Sequence, residues 1–289
     1  IQLLYHSRFL MFTSNPFAEL SVSIPPIVMQ TYLTVMIFLV LGGTLFDVIH
    51  KGSAKYFFTN FRKSRDQGSQ VNFSTKASLA VQTIASDVLT SSEFCSLKRR
   101  IAHLLGMYGF VFNVVATFMM VMFYTAPNSI TPAIWPQIWC IGALMVCVGG
   151  FWFWFFIRVD VSAEGLSPFR LVRADLFILS LLANSTFALI WAYAQSISSS
   201  WAMLFLGFYL IATTVLFGSV PWSKFSHMFF KPAAAFEKKL SVENGSRNNL
   251  PKPADRSNAE DRDRHSMVLL KDAPLNMGLG IKREKPNHY

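Results

Sequence analysis

The stretch from Ile134 to Ile157, IWPQIWCIGALMVCVGGFWFWFFI, runs through 24 residues without a Lys, Arg, Asp or Glu. A helix needs about 20 apolar residues to cross the ~30 Å hydrocarbon layer, where lipid offers no partner to an unpaired backbone amide. The stretch therefore reads as a membrane span. Four other apolar stretches flank it: Pro26 to Val48, uncharged until Asp47, and Ile101 to Tyr124, Leu176 to Gln195 and Trp201 to Trp222, which hold no charged residue. The fold expected is all-α, an integral membrane bundle of five transmembrane helices. Its domain occupies residues 26–232 and includes a large loop at 51–100, with segments 1–25 and 233–289 outside it.

The composition agrees. Of 289 residues, 52% are hydrophobic and only 15% charged, against roughly a quarter charged in an average soluble domain. That excludes an ordinary soluble enzyme. The net charge is nonetheless +10, from 26 Lys and Arg against 16 Asp and Glu. Position explains the excess. If all five segments cross, 51–100, 158–175 and 223–289 share one side and hold 9, 3 and 13 basic residues, leaving only Arg8 elsewhere. The positive-inside rule makes that side cytoplasmic, with the N-terminus outside and the C-terminus in the cytoplasm. The expected location is the inner membrane, and lipid rather than nucleic acid is the first partner. Trp135, Trp139, Trp201 and Trp222 near span ends suit the headgroup layer.

Between the spans, Ala54 to Lys63 mixes Tyr56, Phe57, Phe58 and Phe61 with basic residues, which suits a short interfacial helix. From Ala80 to Phe94, Val81, Ile84, Val88 and Leu89 recur at helical intervals and predict a helix that packs on something. The segment from Pro232 onward is rich in polar and mixed-charge residues and is expected to be disordered. Cys95, Cys140 and Cys147 form no metal-binding cluster and read as small packing residues. Asn113, Asn184, Ser185 and Thr186 lie within spans and read as hydrogen-bonding groups between helices.

Three of the six histidines, His50, His103 and His227, fall at or just beyond the ends of the first, second and fifth spans, all on the basic side. Imidazole is costly in lipid unless it faces the bundle interior with a partner, so a common depth suggests a shared ligand, ion or proton path. Two facing helical histidines can clamp a haem iron. Gly106 and Gly109 follow His103 near the same face, where missing side chains could admit a flat porphyrin, and Arg99, Arg100 and Lys224 could pair with its propionates. Simple interfacial histidines and glycines that serve helix packing are the competing readings.

The segments PWSKFSHMFFKP (221–232) and RRIAHLLGMYGF (99–110) resemble the end of the fifth helix and the start of the second in the gamma-subunit family of respiratory nitrate reductase. That family has five spans, an external N-terminus and haem b. The resemblance covers roughly 26–232 and implies that His103 and His227 are axial ligands, and hence metal-binding residues. It departs at the family's second ligand pair, whose positions hold Asn113 and Tyr209, so one haem is expected, on the cytoplasmic side. His50 stands as an alternative ligand or a group beside a quinone. The loop beginning FDVIHKGSAKYFFTNFRKSR looks most like the membrane proteins of sulfur metabolism. These are the membrane subunit of the quinone-interacting oxidoreductase complex and the shorter membrane anchor of adenylylsulfate reductase. This resemblance implies an oxidoreductase subunit in electron transport, exchanging electrons between quinone and a cytoplasmic flavin and iron–sulfur partner. A haem-free anchor for a soluble enzyme is the alternative.

Overall fold

A computed structural model describes residues 11–50, 52–92, 94, 96–126, 130–158, 169–172, 175–222, 227–248, 250, 257–258 and 260, and every regular element among them is helical. In chain order these are α1 (Pro16–Leu20), α2 (Pro26–His50), α3 (Ser53–Gln67) and α4 (Phe73–Thr83), which continues as a π-helical turn, Ile84–Leu89. There follow α5 (Leu97–Phe123), α6 (Ile134–Trp152) with a π-helical turn at Phe153–Ile157, α7 (Leu176–Ser196) and α8 (Ala202–Gly218). A 3-10 turn, Val220–Trp222, and α9 (His227–Glu243) complete the series.

Four helices are long and apolar enough to cross a membrane: α2, α5, α6 with its π-helical turn, and α7. The chain is a multi-pass membrane protein. The segment expected as a fifth span, Trp201 to Trp222, is divided. Its helix α8 is apolar but stops at Gly218 after 17 residues, which at 1.5 Å per residue is about 25 Å. Pro221 explains the break, since it has no N–H to give and disfavours helical geometry at Val220 before it.

The bundle is built from two hairpins, α5 with α6 and α7 with α8, joined through α6 and α7, while α2 lies at the periphery against α8 and α5. Glycine sets the first hairpin. A Cβ on Gly109 would stand 2.6 Å from the Gly142 carbonyl oxygen, and one on Gly142 would stand 2.7 Å from the Gly109 oxygen. Real side chains do not fit there. Gly149 continues this close contact, since a Cβ there would stand 2.7 Å from the Ala102 carbonyl oxygen. Asn113 donates to the Trp139 carbonyl (3.2 Å), and the Trp139 indole donates to Thr117 (2.8 Å). In the second hairpin Asn184 donates to Thr213 at 2.6 Å, and Thr186 meets Cys147 of α6 at 3.7 Å. Asn113, Asn184 and Thr186 thus bond between helices, as their sequence positions implied.

Trp139 is not at the headgroup boundary. It is fully buried, in edge contact with Phe17 and Trp191, while Tyr209 stacks on Trp191 at 5.6 Å. The reason lies in register: Trp139 is more than a turn inside α6, on the face turned to α5. Trp201 and Trp222 do remain exposed. Phe17 reaches this cluster because Asn15 closes the end of the bundle. Its carboxamide oxygen caps α1 by accepting from Phe17 N (3.0 Å), and its Nδ2 donates to Tyr124 O and Thr131 Oγ1 (both 3.1 Å).

At the opposite, basic end, α3, α4 with its π-helical turn, and α9 form a cap. The region from Pro232 onward, expected to be disordered, is helical to Glu243 even though Pro232 sits inside α9. Packing on α3 and α4 compensates for the backbone hydrogen bond that proline removes. Asn244 then ties the cap together, donating to Ser64 O (2.9 Å) and accepting at its carbonyl from Ser69 N (2.8 Å). The α6–α7 connection is secured by a buried ion pair between Arg158 and Asp175, with the Arg158 guanidinium 4.2 Å from the Trp154 ring centre.

Gly142→Leu should therefore lower the thermal unfolding midpoint of the detergent-solubilised protein, at a cost of at least about 1–3 kcal/mol from overpacking. Gly207→Ala, where an added Cβ meets nothing within 4 Å, should be neutral or stabilising by up to about 1 kcal/mol.

Candidate functional site

His103 lies two turns inside α5, at the end of the bundle closed by the cap. The chain before α5 folds back beneath it. Ser92 N donates to Ser86 O (2.9 Å), so the π-helical turn reverses sharply, and Ser91 takes a left-handed backbone (φ 47°) while almost fully buried. A left-handed backbone at a residue with a side chain costs roughly 1–2 kcal/mol and persists where surrounding contacts fix it. Here they are named. The Ser91 hydroxyl is 3.2 Å from His103 Nδ1, and the Phe94 ring sits 4.9 Å from the imidazole. Arg100 Nε donates to Thr90 O and the Tyr108 hydroxyl to Leu89 O, both at 2.6 Å.

This turn fixes the imidazole's orientation. With the proton on Nδ1 donated to Ser91 Oγ, the lone pair lies on Nε2, which is the arrangement a metal-ligating histidine requires. Helix α9 is fastened to the same turn. Lys239 reaches Asp87 (2.8 Å) and Ser86 (3.0 Å), and the Lys231 ammonium lies 5.4 Å from the Phe94 ring centre. His227 opens α9, one helical turn before Lys231, and is described through its backbone alone. The cap therefore brings the start of α9 and the His103 turn to one end of the bundle.

The remaining sequence candidates separate. His50 is exposed at the end of α2, with its ring stacked on Phe46 of its own helix at 5.2 Å. Arg99 is partly exposed beside Arg100, and Lys224 lies outside the described residues. Gly109 is occupied by the contact with Gly142, whereas a Cβ on Gly106 would meet nothing within 4 Å. Gly106 is thus the one of the two that leaves a flank of α5 open. Among the described residues no three of His, Cys, Asp and Glu gather as a metal site, and a bis-histidine iron needs no such group.

A cavity of about 280 Å³ that the sequence did not announce lies between α2, α5 and α8. Phe17 stands at one end and Met228, next to His227, at the other; Met36, Phe110, Val114 and Tyr209 line its length. Phe110 is seven residues after His103, within roughly 20° of the same face of the helix. The walls are almost wholly apolar, as in small-molecule sites of about 300–1,000 Å³. A periodicity argument along single helices carries no signal for such a space, which depends on how three helices are splayed.

The Asp87–Lys239 link gives the cap a pH dependence. Burial alone would raise the Asp87 carboxyl, but Lys239 and the Ser86 and Ser92 hydroxyls outweigh it and hold Asp87 below its ordinary value. A carboxylate whose folded value is depressed contributes stability above its unfolded value, near 4, and loses it as pH falls through the folded one. The protection factors of the α9 amides, which remove the intrinsic pH dependence of exchange, should accordingly fall in the wild type on acidification below about pH 4. In Asp87→Asn they should already be low at neutral pH and lack that step. No known protein family, curated protein or solved structure matches this chain.

Proposed function

We propose that the chain is a membrane electron-transfer subunit holding one b-type haem at the basic, cytoplasmic end of the bundle. His103 and His227 are the axial ligands. The observation that carries the reading is the His103 imidazole, held from behind by a buried, strained Ser91 and flanked by Phe94, with the helix that begins at His227 fastened to the same turn. Such outer contacts set the tautomer and direction of a ligating histidine. Arg99 and Arg100 at the start of α5, with Lys224, are the cations assigned to the propionates, and Gly106 keeps the adjacent helix flank open.

A haem bound there would supply one-electron chemistry. The protein's own groups orient the ligand, exclude water from the apolar side and present a cationic rim. The cavity leads from between α2 and α5 to Met228 and suits the apolar tail of a quinone approaching from lipid. The soluble partner is a cytoplasmic flavin and iron–sulfur oxidoreductase that docks on the basic cap, with adenylylsulfate reductase of sulfur metabolism as the specific candidate.

A second reading, a haem-free membrane anchor for a soluble enzyme, is favoured by the filled face of Gly109. The reduced-minus-oxidised visible spectrum of the purified protein separates the two. A b-type α band lost in His103→Ala and in His227→Ala but kept in His50→Ala is the expected result. A protein with no band that still supports quinol oxidation by its partner would overturn the proposal.

A further inference from the structure

The helix whose apolar spacing predicts that it packs on something turns that face away from the rest of the chain. In α4 and the turn after it, Phe73, Ala77, Val81 and Ile84 form one stripe at helical spacing, and the stripe faces outward. Phe73 is 84% exposed, Val81 67% and Ile84 53%, while Thr83 on the other side is buried. It is α9 that packs against this helix. A helix bathed in water would carry charge on its outer face, yet in residues 69–92 the charged residues are Lys76 and Asp87, and Asp87 is engaged by Lys239.

The height of the far end of this segment, at Leu89 and Thr90, is set by its ties to a membrane-crossing helix. Tyr108 of α5 donates to Leu89 O and Arg100 to Thr90 O. Helical side chains slant toward the helix N-terminus, so Leu89 sits level with the part of α5 between Arg100 and Tyr108. That is where Lys98, Arg99 and Arg100 give way to an uncharged run. Leu89, Leu97 and Ile101 are exposed alongside and join the stripe to the outward apolar surface of α5. We propose that α4 and its π-helical turn form a membrane-surface anchor, with the Phe73–Ala77–Val81–Ile84 stripe seated at the lipid headgroup boundary on the basic side of the bilayer.

The anchor is independent of the electron-transfer reading. Its test uses the full chain in phosphatidylcholine–phosphatidylglycerol nanodiscs, with single added cysteines spin-labelled at Val81, Ile84, Ser78 and Gln82 and the wild-type background subtracted. Exposed positions tolerate the label, and Ser78 and Gln82, also exposed, flank the stripe. Collision with a water-soluble nickel chelate should be several-fold weaker at Val81→Cys and Ile84→Cys than at Ser78→Cys and Gln82→Cys, while collision with oxygen should be stronger. Equal nickel access at all four positions would show a stripe in water. Protection from both reagents at positions 81 and 84 would show a protein contact, with a second copy of this chain. Either result overturns the anchor.

Discussion

The Gly109–Gly142 contact is the constraint on which the rest of the bundle depends. Between helices in lipid there is no hydrophobic driving force, because the solvent is as apolar as the side chains, so association rests on close van der Waals contact and interhelical hydrogen bonds. Two helices that meet backbone to backbone at Gly109 and Gly142, and again where Gly149 meets Ala102, have one register only. That register sets the height of His103 relative to α6, and it turns the face bearing Phe110 and Val114 toward α2 and α8. The buried Asn113–Trp139–Thr117 bonds then secure an alignment that steric fit has already chosen.

How far sequence could reach is decided by the range of the forces involved. The span lengths follow from a local rule, one apolar helix per hydrocarbon thickness, and α2, α5, α6 and α7 obey it. Helix α8 ends early at a local cause, Pro221. The errors arise where a residue's partner is distant in the chain. Trp139 carries the composition of a headgroup-belt residue, yet Phe17 and Trp191 enclose it. The stretch after Pro232 has the composition of a tail, yet α3 and α4 hold 233–243 as helix. For the candidate site, the positions of His103 and His227 at one end were readable from span counting. Ser91, Phe94, Lys231 and Lys239 were not, because a chain reversal beneath α5 brings them there and only their three-dimensional placement reveals it.

The same geometry divides the two glycines that sequence could only treat together. Gly106 and Gly109 stand three residues apart, near one face, but α6 passes close enough to fill one of them. A small residue on a membrane helix serves packing wherever another backbone crosses it, and a ligand can use only a flank that no helix covers. The open flank at Gly106 is one turn above His103, and the filled one lies at the crossing point itself.

The half of the bundle away from the basic cap bears on the course of any electron path. Tyr209 and Asn113, which stand where the resembled family places its second pair of ligands, are committed here to structure. Tyr209 stacks on Trp191, and Asn113 bonds the Trp139 carbonyl. Phe17, brought in by the Asn15 cap, completes the packing, and Trp139 and Trp191 have no exposed surface at all. With no histidine at positions 113 and 209, on the electron-transfer reading a redox centre at the basic end has no second bis-histidine centre to relay through. On that reading quinone would react on the side where the proposed soluble partner docks, with protons taken up and released there and little net charge moved across the membrane. The aromatic closure of one end of the bundle and the gathering of His50, His103 and His227 toward the other are thus two aspects of one architecture.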